Sequence, residues 1–213
     1  MTLVFKQLNL AKEKEEYLKS WCEAFERQND IDRVKWAILC PFNTTFIVKD
    51  GLKIVAGYSF LKREINLFPY AALIANNMFV IPSYQGQYLN IKLAKYAFDN
   101  LPCEEAILFG APRKNVVPFH KRAGWTVEKP KSLLTCELER LYQFEELKTT
   151  NSEDLTYSLE KNSEVFNNLQ ILNDEKIRFK PLKSYLKWRF MEHPYCSDRS
   201  YKITKTKSNS FII

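Results

Sequence analysis

Residues 80–90, Val-Ile-Pro-Ser-Tyr-Gln-Gly-Gln-Tyr-Leu-Asn, carry the densest chemical signal in the chain. An apolar run ends at Val80, Pro82 bends the backbone, and a short loop feeds straight into a helical pattern. A helix N-terminus leaves free N–H groups and the positive end of the helix dipole, so this segment suits a pyrophosphate. A second cluster, Lys187, Trp188, Arg189 and His193, lies near the C-terminus. The planar, permanently charged Arg189, with Lys187 and His193, suits an anionic ligand; packing plus an ion pair is the other reading of the same residues. Metal chemistry is not indicated. Two histidines nearly exclude a multi-His site, and Cys22, Cys40, Cys103, Cys136 and Cys196 are scattered without a C-x-x-C pair. They read as reduced thiols of a cytoplasmic protein.

The elements that must position these residues follow from periodicity. Leu18, Trp21, Cys22 and Phe25 share one helical face and predict an amphipathic helix over 13–27. Residues 44–49 and 52–61 read as strands of a hairpin, joined at Asp50-Gly51, a pair that tolerates the positive φ of a tight turn. A third extended run, 71–80, is closed by Pro82. The period turns helical over 88–100, with Leu89, Leu93, Ala94, Ala97 and Phe98, and 106–109 is a short strand. A short helix over 116–122 ends at Gly124, followed by expected strands at 125–127 and 133–138. This order predicts a mixed α/β sheet with helices on its faces.

Composition shifts near residue 145, and 148–154 reads as a polar linker. Val165, Phe166, Leu169 and Leu172 have helical spacing, as do Leu182, Tyr185, Leu186 and Arg189, with Pro181 placed for a helix start. Residues 201–206 and 211–213 read as a hairpin. The expected division is a domain over 1–145 and a helical and hairpin extension over 146–213. The closing Phe-Ile-Ile implies either strand pairing, including a homodimer through these strands, or a truncated form of a longer protein.

With 213 residues, 46% hydrophobic and 14% aromatic, the chain can bury one generous domain. A disordered tail, a collagen-like chain and a disulfide miniprotein are excluded. No apolar run approaches the roughly 18 residues of a membrane span, and the N-terminus turns charged too early for a secretory signal. The formal charge of +7 is interleaved rather than blocked. It fits a solvated face or an anionic cofactor, and offers nucleic-acid binding no support beyond charge.

Val80, Pro82, Tyr84, Gln85 and Gly86 match the pyrophosphate loop of the GNAT acyltransferase superfamily, V-x-P-x-Y-[RQ]-G-x-G-x-[GA], which this chain resembles. Tyr88 and Asn90 stand where that family prefers small residues. Residues 109–125, ending Lys121-Arg122-Ala123-Gly124-Trp125, resemble a later motif of a subgroup found in bacterial surface-polysaccharide gene clusters. Tyr185-Leu186-Lys187-Trp188-Arg189-Phe190 with His193-Pro194 is similar to a signature of its second half.

The resemblance implies a splayed sheet with acetyl-CoA, as co-substrate, inserted between the fourth and fifth strands, and no metal. The thioester would pair with backbone of Met78, Phe79 and Val80, and the pyrophosphate would lie over Gln85, Gly86, Gln87, Tyr88, Leu89 and Asn90. Asn115 matches a CoA-contacting residue, with loop capping the alternative. His120 lies where many members carry the tyrosine that protonates the thiolate; imidazole can do this near neutral pH, or be a plain helix histidine. Asn76 and Asn77 would orient the acceptor or satisfy the splayed backbone. Glu64 is the nearest carboxylate, either substrate-facing or merely solvated, and Arg189 would hold an anionic acceptor. The implied function is N-acetyl transfer to a small amine, with an amino sugar of surface-polysaccharide synthesis as the acceptor class. The alternative is a non-catalytic acyl-CoA-binding or scaffold domain.

Overall fold

The computed structural model describes residues 2–26, 31–65, 71–101, 106–112, 114–127, 154–157, 179–180, 182–194, 201–205 and 211–212. The chain divides into two compact units, Met1–Val127 with Ile177–Lys180, and Glu128–Lys176 with Pro181–Ile213. In the first, strands β1 (Leu3–Gln7), β2 (Asn43–Asp50), β3 (Lys53–Glu64), β4 (Ala71–Val80) and β5 (Ala106–Phe109) form one sheet in sequence order. The first four pair antiparallel; β5 runs parallel to β4. Helices α1 (Leu10–Phe25), α2 (Ile31–Ile38), α3 (Leu89–Asp99) and α4 (Val117–Arg122) complete the unit. The mixed, helix-flanked sheet expected from the sequence is present.

Helix α1 starts ahead of its expected position because Asn9 caps it. The Asn9 carbonyl accepts the Glu13 N–H at 2.9 Å while Glu13 Oε2 accepts the Asn9 N–H at 3.1 Å. Its buried face centres on Tyr17, Leu18 and Trp21, leaving Phe25 exposed at its end. Tyr17 lies over Gly57, where an added Cβ would stand 2.5 Å from the Phe79 ring and 2.9 Å from Tyr17; only glycine admits both rings. The sheet's other face packs under α3, with Tyr96 edge-on to Phe46 and Phe98 edge-on to Phe60. Because helices cover both faces, Ile54–Phe60 of β3 is buried without alternation.

Strands β4 and β5 pair only over Ala71–Ile74 and Ala106–Phe109. Beyond Ile74, β4 continues to Val80 while β5 has ended, so the sheet splays. Gly110 sits at the fork, where a Cβ would lie 3.3 Å from that of Ala75.

Phe179 and Lys180 clip the far end of β3. Lys180 N–H donates to Glu64 O at 2.8 Å, Phe179 stacks on Phe109 at 5.8 Å, and Arg63 lies over the Phe179 ring. Trp125 departs from its expected strand: its N–H donates to the His120 carbonyl at 3.0 Å, closing α4 instead of joining a ladder. In the second unit, β6 (Asp154–Tyr157), β7 (Tyr201–Lys205) and β8 (Phe211–Ile212) form a sheet in that order. A short helix α5 (Lys183–Leu186) runs into a π-helical turn, Lys187–Met191, that buries Trp188. The strand at 133–138, the helix at 165–172 and all of the linker except Asp154 lie outside the described residues.

Candidate functional site

The splay exposes one edge of β4, and β4 is irregular there. Its register with β3 runs Ser59↔Asn76 and then Gly57↔Phe79, so Asn77 and Met78 together face Tyr58. This is a β-bulge, and Asn77 holds its left-handed φ of +46°. Asparagine is among the few side chains that tolerate this region. The bulge turns Met78 into a narrow crevice beside Asn90 and Ala94 of α3, Phe119 and His120 of α4, and Ala123 that caps α4. Met78, Asn90 and His120, predicted separately, are thus brought together.

Past Val80 the chain makes one 3-10 turn, Pro82–Tyr84, after Ile81 N–H donates to Val55 O at 3.0 Å. Tyr84 Oη donates to Asp50 Oδ2 at 2.5 Å, and Gln85 Nε2 donates to Val80 O at 3.2 Å. The hydrogen bond to Asp50, with some burial, raises the Tyr84 hydroxyl above its ordinary pKa. Gly86 has φ +82° and Tyr88 φ +57°. The first helical bonds of α3 run from Ile91 and Lys92 N–H to Tyr88 O, both 3.1 Å. The amides of Tyr88, Leu89 and Asn90 precede them and are free to face an anion. Tyr88 is 57% exposed.

His120 Nδ1 lies 3.1 Å from Val116 O, and Trp125 meets the imidazole edge-on at 5.5 Å. Since a carbonyl can only accept, Nδ1 carries a proton and Nε2 is the atom left for chemistry. Asn76 Oδ1 is buried without a hydrogen-bond partner. Tyr58, opposite the bulge, is likewise buried with an unpartnered hydroxyl, and burial pushes its pKa up. The Phe79 ring turns to the α1 face, edge-on to Tyr17 at 5.4 Å, so only its backbone borders the splay. Asn115 is exposed on the 3-10 turn before α4.

Glu64 pairs with Ala71, at the opposite end of β4 from Val80, and is matched by Lys180 at 3.6 Å. Arg189 lies in the second unit. Ala94, Phe119 and Ala123 line the crevice without having been singled out for it, since small or aromatic residues on a helix face read as core. Asp50 was legible only as a turn residue. Among the described residues there is no group of three or more His, Cys, Asp or Glu placed to hold a metal, and no helix long and apolar enough to cross a membrane.

No protein-family model matches the chain, and no curated protein matches it. Solved structures do. An aminoglycoside acetyltransferase from an uncultured soil metagenomic sample, in complex with sisomicin, is 18% identical with a TM-score of 0.51, covering 64% of this chain and 96% of that one. A ribosomal-protein-alanine N-acetyltransferase from Brucella melitensis biovar Abortus 2308 is 10% identical with a TM-score of 0.51, covering 63% of this chain and 100% of that one. At such identities the likeness speaks for the fold: an open, five-stranded mixed sheet flanked by helices, which is the fold of the GNAT acetyltransferases.

Proposed function

We propose that this protein is an acetyl-CoA-dependent N-acetyltransferase acting on a small primary amine, with an amino sugar as the acceptor class. One observation carries the reading: Met78 at the β4 bulge, Asn90 in the first turn of α3, and His120 line the same narrow crevice. Backbone of Met78, Phe79 and Val80 would pair with the pantetheine arm and thioester where β4 has parted from β5. The loop from Gln85 to Asn90 would hold the pyrophosphate. Asn77, whose bulge re-aims the backbone, and Asn76, with its unpartnered Oδ1, would orient the acceptor.

The neutral amine attacks the thioester carbon, the C–S bond breaks, and the thiolate takes a proton from His120 Nε2. The new amide loses its extra proton to solvent, which also restores the imidazolium. Holding amine and thioester together supplies the largest share of the acceleration, because the acyl group is already activated. Proton transfer by His120 adds to it.

Calorimetric titration with acetyl-CoA tests the reading, with dephospho- and desulfo-analogues as controls. Micromolar binding that weakens without the phosphates is expected; no binding at millimolar ligand would overturn it. Tyr88, standing left-handed where the family prefers glycine, favours a second reading, binding without turnover. Release of free CoA on adding amino-sugar nucleotides separates the two.

A further inference from the structure

The segment assigned to the pyrophosphate is an exposed loop. Pro82, Ser83, Gln85, Gly86, Gln87 and Tyr88 are all exposed, and two of them sit at positive φ. An exposed loop with free amides holds an anion well only when its shape is fixed before the ligand arrives, since ordering it afterwards subtracts from affinity. Three tethers fix it. Ile81 N–H to Val55 O and Gln85 Nε2 to Val80 O secure the strand end that leads into the loop. The third reaches elsewhere. Tyr84, half-buried against the core, donates to Asp50 Oδ2 at 2.5 Å across 34 positions of sequence.

Asp50 is itself rigidly held. It is the last residue of β2, in register with Leu3 of β1 and Lys53 of β3, and next to Gly51 at φ +58°. A hydroxyl donating to a carboxylate at this distance is a charge-assisted bond, stronger than a neutral one. The geometry points to Asp50 and Tyr84 as positioning residues that hold the pyrophosphate loop in its anion-accepting shape. This inference rests on the proposed acyl-CoA reading. Neither side chain need touch the ligand.

The test compares Tyr84→Phe, Asp50→Ala, the double variant and Asp50→Asn by CoA titration and by hydrogen exchange at the bonded amides that flank the loop, Tyr84, Gln85, Ile91 and Lys92. Each of the first two should weaken CoA about ten- to a hundredfold, the scale of one hydrogen bond to a charged group. The double variant should lose no more than either single one, because both remove the same bond. Asp50→Asn retains an acceptor oxygen without the charge and should fall between wild type and Asp50→Ala. These four amides should exchange about tenfold faster in Tyr84→Phe with the rest of the sheet unchanged. Additive losses, or unaltered affinity and exchange, would overturn the assignment. If wild-type protein fails to bind CoA, the acyl-CoA reading falls. The exchange arm still decides the anchor: faster loop exchange supports it and unchanged exchange rejects it.

Discussion

His120 holds its Nδ1 against the Val116 carbonyl at 3.1 Å, so Nε2 is the ring atom left to face a substrate. In His120→Ala, kcat should fall about 100-fold, the usual scale for general acid catalysis. The KM for acetyl-CoA should change little in steady-state kinetics. Retention of the rate would remove His120 from the mechanism. At this scale the site was partly legible: His120, Gln85 and Gly86 stand out because their chemistry or backbone freedom is unusual. Asp50 does not, since a turn accounts for an Asp-Gly pair completely, and its bond to Tyr84 spans half the sheet.

Element α3 begins under a left-handed residue with a full side chain. A non-glycine residue at the +57° of Tyr88 costs about 1 kcal/mol, while glycine gives back a similar amount through the freedom of the unfolded chain. Tyr88→Gly should therefore leave the melting temperature within about 3 °C. Calorimetry should show tighter CoA binding, because the amides lose a bulky neighbour; weaker binding would mean that Tyr88 itself contacts the ligand. Strands β2 to β5 and helix α3 are readable from sequence since each is long or strongly periodic, or bounded by Gly or Pro. Strand β1, five residues long, and α2, eight, give too few periods to register. The bulge at Asn77 is invisible because nothing in an Asn-Asn pair says which residue will turn left-handed.

Across the whole first unit, Glu13 ties three elements together. Its Oε1 lies 2.8 Å from Lys6 Nζ on β1 and 3.0 Å from Lys49 Nζ on β2. Burial alone would raise its pKa, but the hydrogen bonds from Lys6, the Asn9 amide and Lys49 outweigh that and hold the carboxyl at about 2, against 4.5 ordinarily. A depressed folded-state value means stability that is complete above pH 4.5 and is lost as pH falls toward 2. The loss should reach about 2–3 kcal/mol. Urea unfolding at pH 7 and pH 3 should show a smaller acid-dependent loss in Glu13→Gln than in wild type. An identical pH dependence in both would show that Glu13 is not the group responsible.

The first unit is built from two stretches of chain, with Phe179 and Lys180 returning to the end of β3 after 49 residues, Glu128–Lys176, have passed through the second. During synthesis, the ribosome therefore exposes the sheet long before it delivers the clip. At about 5–20 residues per second, Arg63 and Phe109 wait several seconds for the ring that covers them. Over that interval the Phe109 ring on the last strand of the nascent sheet lacks the partner it stacks on in the finished fold.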